Sequence, residues 1–516
     1  MKIKKVVIVG GGSSGWMTAA ALCKCFPDME ISLIESKNIK PISVGESTLF
    51  GINQYLSLLD IEDKDWMPEC DATYKVSISF TDFREKGSQF QYPFGSGTHV
   101  SGSQTPLGLD TWPILRQLYP DKNPLERFAQ FYNPITYLAN NNKLTSNEDK
   151  SIPLFDFQGD TAYHFNSIKF GTYLKNKICI PNGVHYIEDE IKSIHKKENG
   201  DIESIISDSG VNLTGDLFID CSGFNSILLE ETMKTKFISY SDTLLNDRAL
   251  ATKLNYDDVE KELKNYTNCT AIDNGWVWNI PLWNKIGSGY VYSSKFVDKN
   301  QAEIEFRKHL SSIGKEIPDD QEILDIKIKH GRHENPWVGN VLAIGLSYGF
   351  IEPLESTGLF TTHENIFKFV KILQRRDGFY SQIDKTMFND HMNIMMDTFK
   401  SFLEIHYALS KREDTEYWKY VTSIEYKDNY DIEQLRMSTL MKSDYRSMAG
   451  GSTYIAAGMG YLPNYRFGSG IGHVNMDDLQ SLENMQKEFD MFACSMNSYV
   501  DSLPSSYQYL KENIYS

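Results

Sequence analysis

An α/β fold is predicted for this 516-residue chain by three features of its sequence. First, "KKVVIVG" is a short β-branched run that reads as a buried parallel strand. It leads into "GGGSSG", a helix-forming stretch "WMTAAALCKCF", and a second strand "ISLIES", which together make a βαβ unit. Second, two further apolar runs, "DLFIDCSGFNS" and "NVLAIGLS", end in small-residue turns at Cys221-Ser222-Gly223 and at Gly345. Such strand ends are where α/β folds bind ligands. Third, the chain turns helical after Phe360, with Met392, Met395, Met396, Phe399, Phe402 and Leu403 at the spacing of one buried helix face.

The elements are justified in order. Gly10, Gly12 and Gly15 fill the pattern G-x-G-x-x-G, with Ser13 inside it, and Glu35 ends the second strand. In a dinucleotide fingerprint the pyrophosphate sits on the helix N-terminus and the acid takes the ribose hydroxyls. Glycines alone would be an ordinary turn, but here strand, glycines, helix, strand and acid are in register. "YKVSISFTDF" alternates as a strand. The Gly/Ser/Pro-rich "GSQFQYPFGSGTHVSGSQTPLG" reads as a long loop, and loops of that length are usually functional or mobile. "NNNKLTSNEDK" is a polar surface excursion, and "AYHFNSIKFGTYLKNKI" reads as a helix. "GVHYIEDEIKSIHKKENGDIESIISDSG" reads as a meander turning at Asn199-Gly200. There is no internal repeat.

Composition narrows the function. Hydrophobic residues at 41% and aromatics at 13% exclude a disordered chain and favour a core with aromatic-lined cavities. A net charge of -17 disfavours nucleic acid and anionic membrane surfaces as partners. No run reaches the roughly 18 apolar residues of a membrane span. The seven cysteines include no C-x-x-C pair, which fits reduced thiols in a cytoplasmic protein and gives no reason to expect a metal. The basic, apolar N-terminus is broken at Gly10–Ser14 and lacks a cleavage site, so a signal peptide is not expected.

Four further stretches carry chemistry. "NGWVWNIPLW" holds Trp276, Trp278 and Pro281 in the pattern W-x-W-x-I-P. "ATYKVSISF" places Lys75 at a strand start, and "VGEST" carries Gly45 and Glu46. "FIEPLESTGLF" sets a carboxylate, Glu355, directly before Ser356, Thr357 and Gly358. Each has an ordinary reading: core tryptophans, a surface lysine, a Ser/Thr helix cap. Together with "GGGSSGWMTA" they make the chain closely resemble the flavin-dependent halogenases of the tryptophan-halogenase family, from Ile3 to about Leu462.

The resemblance implies an FAD-binding, Rossmann-like domain of the flavin monooxygenase (GR2) type with an added, mostly helical C-terminal substrate domain. On that reading residues 1–75 and 155–360 form a discontinuous FAD-binding domain. Residues 76–154 are a substrate-side insert with loops, and 361–516 the helical domain. FAD, supplied as FADH2 by a separate reductase, would be held by Gly10, Gly12, Ser13, Gly15, Glu35, Gly45, Glu46, Asp220 and Gly345. A flavin hydroperoxide would oxidise a halide (chloride, bromide or iodide) bound at Thr357 and Gly358. The resulting hypohalous acid would pass Ser356 along a tunnel to Lys75, with Glu355 as the essential carboxylate. Trp276, Trp278 and Pro281 would wall flavin from substrate, which prevents competing hydroxylation. Whether Lys75 forms a haloamine or hydrogen-bonds hypohalous acid is open, and so is a homo-oligomer.

The sequence departs from the tryptophan-specific members at the substrate walls. Their His-Pro-Phe stretch is here Tyr92-Pro93-Phe94, and Arg446 and Ser447 fall where a Phe-Trp pair precedes the turn "AAGMG". Losing two large rings opens the pocket. The expected substrate is an electron-rich aromatic of indole or phenol type, not only free tryptophan. An aromatic monooxygenase or a non-catalytic flavin-binding protein are the alternatives; the W-x-W-x-I-P pattern with Lys75 and Glu355 argues against the first, and retention of Lys75, Glu355, Thr357 and Gly358 against the second.

Overall fold

The computed structural model describes residues 2–38, 45–95, 111–319, 321–427, 429, 432, 449–460 and 476–516. Contacts divide the chain into two compact units: Met1–Ala72, Phe165–Asp242 and Lys327–Asp397 form the first, and Thr73–His164, Thr243–Ile326 and Thr398–Ser516 the second.

The first unit is built on a six-stranded sheet, in the order Trp337–Val338, Val341–Ala343, Leu217–Asp220, Lys5–Val9, Glu30–Glu35, His185–Glu188. All neighbours run parallel except the first pair. The runs VVIV, LFI and VLA are buried, as apolar strands covered on both faces must be. The helix Ser13–Cys25 follows the first strand, and the long helix Thr357–Arg375 packs against it. The expected meander forms from Ile191–Lys196, Ile202–Ser207 and Asn212–Thr214, with Gly200 at φ +88° in its turn. His185–Glu188 leaves it and pairs with Glu30–Glu35.

The second unit holds a seven-stranded sheet ordered Leu324–Lys327, Arg248–Leu254, Ile286–Tyr292, Gly275–Pro281, Tyr266–Ile272, Ser77–Thr81, Gln89–Pro93. One face buries Leu250, Leu254, Val277, Tyr290 and Tyr292 against Phe306 and Leu310 of the helix Lys299–Ser312. Side chains alternate along a strand, so Trp276 and Trp278 point to the opposite face from Val277.

Three sequence readings change. Gln89–Pro93 is a strand, not loop, because it completes the sheet edge beside Ser77–Thr81 with Pro93 at its end, where a missing N–H costs least; residues 96–108 of that stretch lie outside the described residues. Ala162–Phe165 is a strand paired with Thr73–Lys75. The helix begins only at Ser167, where the Asn166 side chain accepts from the N–H groups of Ile168 and Lys169. Residues 243–326, grouped by sequence with the dinucleotide unit, cluster instead with the second unit, because Tyr266–Ile272 pairs with Ser77–Thr81.

The C-terminal part is helical among the described residues: Gln382–Ala408, Glu416–Ser423, Ala449–Gly458, Met476–Asp501 and Ser506–Asn513. Met392, Met396, Phe399, Phe402 and Leu403 are buried, and Met395 is half-buried. No helix among the described residues is long and apolar enough to cross a membrane. All seven cysteines are free thiols.

Trp278 lies across Gly289 of the neighbouring strand: a Cβ there would stand 2.2 Å from the indole and 2.7 Å from the Leu250 carbonyl oxygen. Gly289→Ala is therefore expected to destabilise the protein by about 1–3 kcal/mol, the cost of overpacking a filled core, and to shift tryptophan fluorescence. The urea midpoint and emission spectrum check this; an unchanged midpoint contradicts the packing.

Candidate active site

In the first unit the glycine turn is shaped by close approach. Gly10 has φ +111°, and a Cβ on it would meet the Cys221 carbonyl oxygen at 2.2 Å. A Cβ on Gly15 would meet the Gly10 oxygen at 1.9 Å. Gly11 is pressed against the Glu35 carboxylate, where a Cβ would lie 2.2 Å from its carboxyl carbon. Gly12 differs: it is the N-cap of Ser13–Cys25, makes no side-chain cap, and a Cβ on it would meet nothing within 4 Å. The helix start thus keeps N–H groups without intrahelical partners facing open space. Burial raises the Glu35 carboxyl, and Lys175 and Tyr186 oppose the rise. Gly345, at φ +75°, makes room for Ser14, whose hydroxyl a Cβ would approach at 2.2 Å.

The helix Thr357–Arg375 also begins without a side-chain cap. Its N-cap, Ser356, is left-handed at φ +58°, and its hydroxyl donates instead to Ser47 Oγ at 3.0 Å. The α-helices that carry side-chain caps, at Asn166, Asp258, Asp298, Thr415 and Ser505, have an extended N-cap residue, whereas left-handed Ser226 still accepts from the Glu230 N–H of the π-helical turn Ile227–Thr232. Left-handed Ser356 follows the 3₁₀ turn Pro353–Glu355, the kind of backbone that forms an anion nest. A Cβ on Gly358 would meet nothing within 4 Å. Glu355 and Glu352 are both buried in this turn. The Ser/Thr-cap reading of the stretch is therefore not the one the backbone adopts.

Two acids near these turns behave differently. Asp220 is fully buried, and its carboxylate accepts from the Ser222 N–H and hydroxyl (3.0 and 2.6 Å) and from the N–H groups of Leu228 and Leu229 (2.8 Å each). These bonds build the turn after its strand, so Asp220 acts on any ligand there through backbone shape. Glu46 follows Gly45, at φ +106°, and accepts from Ser167 Oγ at 3.3 Å. Burial raises its carboxyl to about 7 against that hydrogen bond.

In the second unit Lys75 is fully buried, with Nζ 4.8 Å from the Phe94 ring centroid. A cation over a ring face gains roughly 2 kcal/mol when desolvated. Phe94 meets Tyr92 edge-on at 6.1 Å and accepts a hydrogen bond on its carbonyl from Asn133 at 2.9 Å. Tyr92 in turn packs on Tyr454 at 5.7 Å, and Gly451 leaves room for the Tyr92 hydroxyl. Trp276 and Trp278 lie 6.1 Å apart, both buried. The Pro281 carbonyl accepts from Thr73 Oγ1 at 2.7 Å, which ties the lysine strand to the tryptophan strand.

Comparison with known proteins decides the class, because the model of the tryptophan halogenase family matches residues 5–466. The chain belongs to that family. It is an enzyme, a flavin-dependent halogenase. It is 32% identical to the tryptophan 6-halogenase SttH of Streptomyces toxytricini over 98% of this chain and 97% of that protein. It is 29% identical to the tryptophan 7-halogenase RebH of Lentzea aerocolonigenes over 99% of each. The solved apo structure of VirX1 is 45% identical with a TM-score of 0.91, covering 100% of both chains. Xcc4156, a flavin-dependent halogenase from Xanthomonas campestris, is 25% identical with a TM-score of 0.84 over 99% of this chain and 98% of that one.

Within the halogenase, the sequence-predicted residues fall into two groups. Gly10, Gly12, Ser13, Gly15, Glu35, Gly45, Glu46, Asp220, Gly345, Glu355, Ser356, Thr357 and Gly358 lie in the first unit. Lys75, Tyr92, Phe94, Trp276, Trp278 and Pro281 lie in the second. Arg446 and Ser447 lie outside the described residues. Sequence reasoning passed over Glu352, Ser47 and His164. The first two stand in stretches already singled out; nothing local marks His164.

The Glu46 value gives a pH test. A carboxyl whose folded value lies near 7, above the ordinary 4.5, holds its proton in the folded state across that interval. The folded state then binds more protons than the unfolded one, so stability falls as pH rises from about 4.5 to 7 and levels off above. With one proton involved the slope cannot exceed about 1.4 kcal/mol per pH unit. Glu46→Gln should flatten this part of the cofactor-free protein's stability profile. A parallel profile in the variant would show that Glu46 ionises normally.

Proposed function

We propose that the first unit holds FAD and a halide side by side, and that the second presents Lys75 to an electron-rich aromatic substrate. The observation that carries this is the start of the helix Thr357–Arg375: an uncapped N-terminus behind a left-handed Ser356, beside buried Glu355. Thr357 and Gly358 would offer their N–H groups to the halide, since an open helix start favours an anion. The open space at Gly358 suits close approach of an ion.

The residues present fit FAD. Glycines stand where a Cβ would collide with neighbouring backbone, the helix start at Gly12 is open, and Glu35 ends the second strand. Gly10, Gly12, Ser13 and Gly15 would carry the pyrophosphate and Glu35 the ribose; Gly45, Glu46, Asp220 and Gly345 shape the remaining walls. When bound as FADH2, delivered by a separate reductase, FAD supplies with oxygen the oxidising power that turns halide into hypohalous acid. Lys75 would then take that oxidised halogen, in a site whose burial favours the neutral amine and excludes water. Glu355 would assist with its carboxylate, and Trp276 and Trp278 keep substrate and cofactor apart.

On substrate, the relatives' names print tryptophan. Tyr92 in place of histidine, and Arg446 and Ser447 in place of two rings, favour tail-less indoles or phenols at least as well as free tryptophan. The test supplies FADH2, oxygen, a halide mixture and a panel of indoles, phenols and tryptophan, and reads product mass. Halogenated products are expected, with tryptophan not preferred; hydroxylated products, or none, contradict the reading. Lys75→Ala should lower halogenation at least about 100-fold, the order of effect of removing a catalytic group, while FAD binding and flavin reoxidation persist. Retained product would remove Lys75 from the mechanism.

A further inference from the structure

His164 is fully buried, and nothing in the reaction described above uses it. Its strand pairs antiparallel with the lysine strand, Thr73 opposite His164 and Lys75 opposite Ala162. Thr73, Lys75 and His164 therefore share one face, with His164 diagonal to Lys75, within reach of a long side chain.

The ring bridges three strands. Nδ1 lies 3.3 Å from Thr73 Oγ1 and Nε2 lies 2.9 Å from Thr267 Oγ1. Thr73 Oγ1 itself donates to the Pro281 carbonyl at 2.7 Å. A hydroxyl has one proton to give. That of Thr73 is committed to Pro281, so His164 Nδ1 must donate to Thr73. Burial, then the charge of Lys75, holds His164 far below its ordinary range, so the imidazole is neutral. A neutral imidazole with hydrogen on Nδ1 has a bare Nε2, which accepts from Thr267. The chain runs one way, from Thr267 through His164 and Thr73 to Pro281.

We propose that His164 is a positioning residue for Lys75: through this one-way relay it locks the lysine strand to the end of the tryptophan strand and fixes where the amine sits over Phe94. The proposal rests on the reading of Lys75 given above. A histidine that merely filled the core would need no particular tautomer, and either of its two hydrogen bonds would serve. Here the Thr73 bond is the one that matters, since Thr73 is two residues from Lys75.

Three substitutions separate the two ends of the ring. His164→Asn puts an amide N–H near Nδ1 and keeps the bond to Thr73. His164→Gln reaches only the Nε2 position and keeps the bond to Thr267. His164→Leu keeps neither. The assay supplies FADH2, oxygen, bromide and an accepted indole together with a diffusible 1,3-diketone that traps released hypohalous acid. Gln and Leu should lower the ratio of brominated indole to brominated trap at least tenfold, with FAD affinity and flavin reoxidation unchanged, and Asn should restore most of it. Thr73→Val, close in shape, should reproduce the loss if the His164 variants do not fold. Imidazole ¹⁵N spectra of the cofactor-free, unmodified protein should show His164 neutral with hydrogen on Nδ1. Wild-type ratios in folded Gln, Leu and Thr73→Val proteins overturn the proposal, as does an Asn variant no better than Gln, or hydrogen on Nε2. Lys75→Ala serves as reference. If it keeps the wild-type ratio, the reading of Lys75 has failed; if it loses the ratio while His164→Leu does not, only the role of His164 has.

Discussion

Ser356 sits in a left-handed backbone conformation that costs a non-glycine residue roughly 1–3 kcal/mol, and the halide site proposed for the first unit depends on it. An N-cap serine in extended conformation turns its hydroxyl onto the helix and closes it, as Ser505 does with Gln508. At φ +58° the hydroxyl of Ser356 points to Ser47 instead. With that hydroxyl engaged by Ser47, no side chain caps the helix Thr357–Arg375, which keeps its partial positive charge and its donors. The glycine helix Ser13–Cys25 solves the same problem by having no side chain at Gly12. The two helices pack together, and Ser14 Oγ and Thr362 Oγ1 come within 3.5 Å. Two open helix starts on packed helices are what a dinucleotide and a small anion require of one unit.

The second unit spends stability on Lys75. A buried ammonium is expensive unless something compensates it. Phe94 supplies a ring face, and the neutral state of His164 avoids a second cation on the same side of the strand pair. The consequence is a lysine held by strands rather than by a loop, with its backbone tied through Thr73 to Pro281. In the role proposed for Lys75 that rigidity would matter, since oxidised halogen must meet one ring carbon of the substrate and not diffuse away.

Much of this was legible in the sequence. The βαβ unit announces itself because strand, glycines, helix and Glu35 are local and in register. The roles proposed for Glu355, Thr357 and Gly358 come from residue type and from the family resemblance. What decided between nest and cap was not legible: Ser-Thr-Gly suits both, and the sign of φ at Ser356 is set by packing. The strand Gln89–Pro93 was hidden because Gly, Ser and Pro on either side carry loop signals, while its partner Ser77–Thr81 supplies the hydrogen bonds. Residues 243–326 were grouped with the dinucleotide unit on the resemblance, although their sheet is completed from before residue 100. His164 was invisible for the same reason, since Thr73, Thr267 and Pro281 meet only in three dimensions.

The central claim is that the start of Thr357–Arg375 holds the halide. Crystals of the FAD-bound protein soaked in bromide, measured at the bromine absorption edge, test it most directly. The account predicts an anomalous peak within hydrogen-bonding reach of the Thr357 and Gly358 N–H groups, with the Ser356 hydroxyl still turned to Ser47. Bromide bound elsewhere in the first unit, or a Ser356 hydroxyl capping the helix, would contradict it.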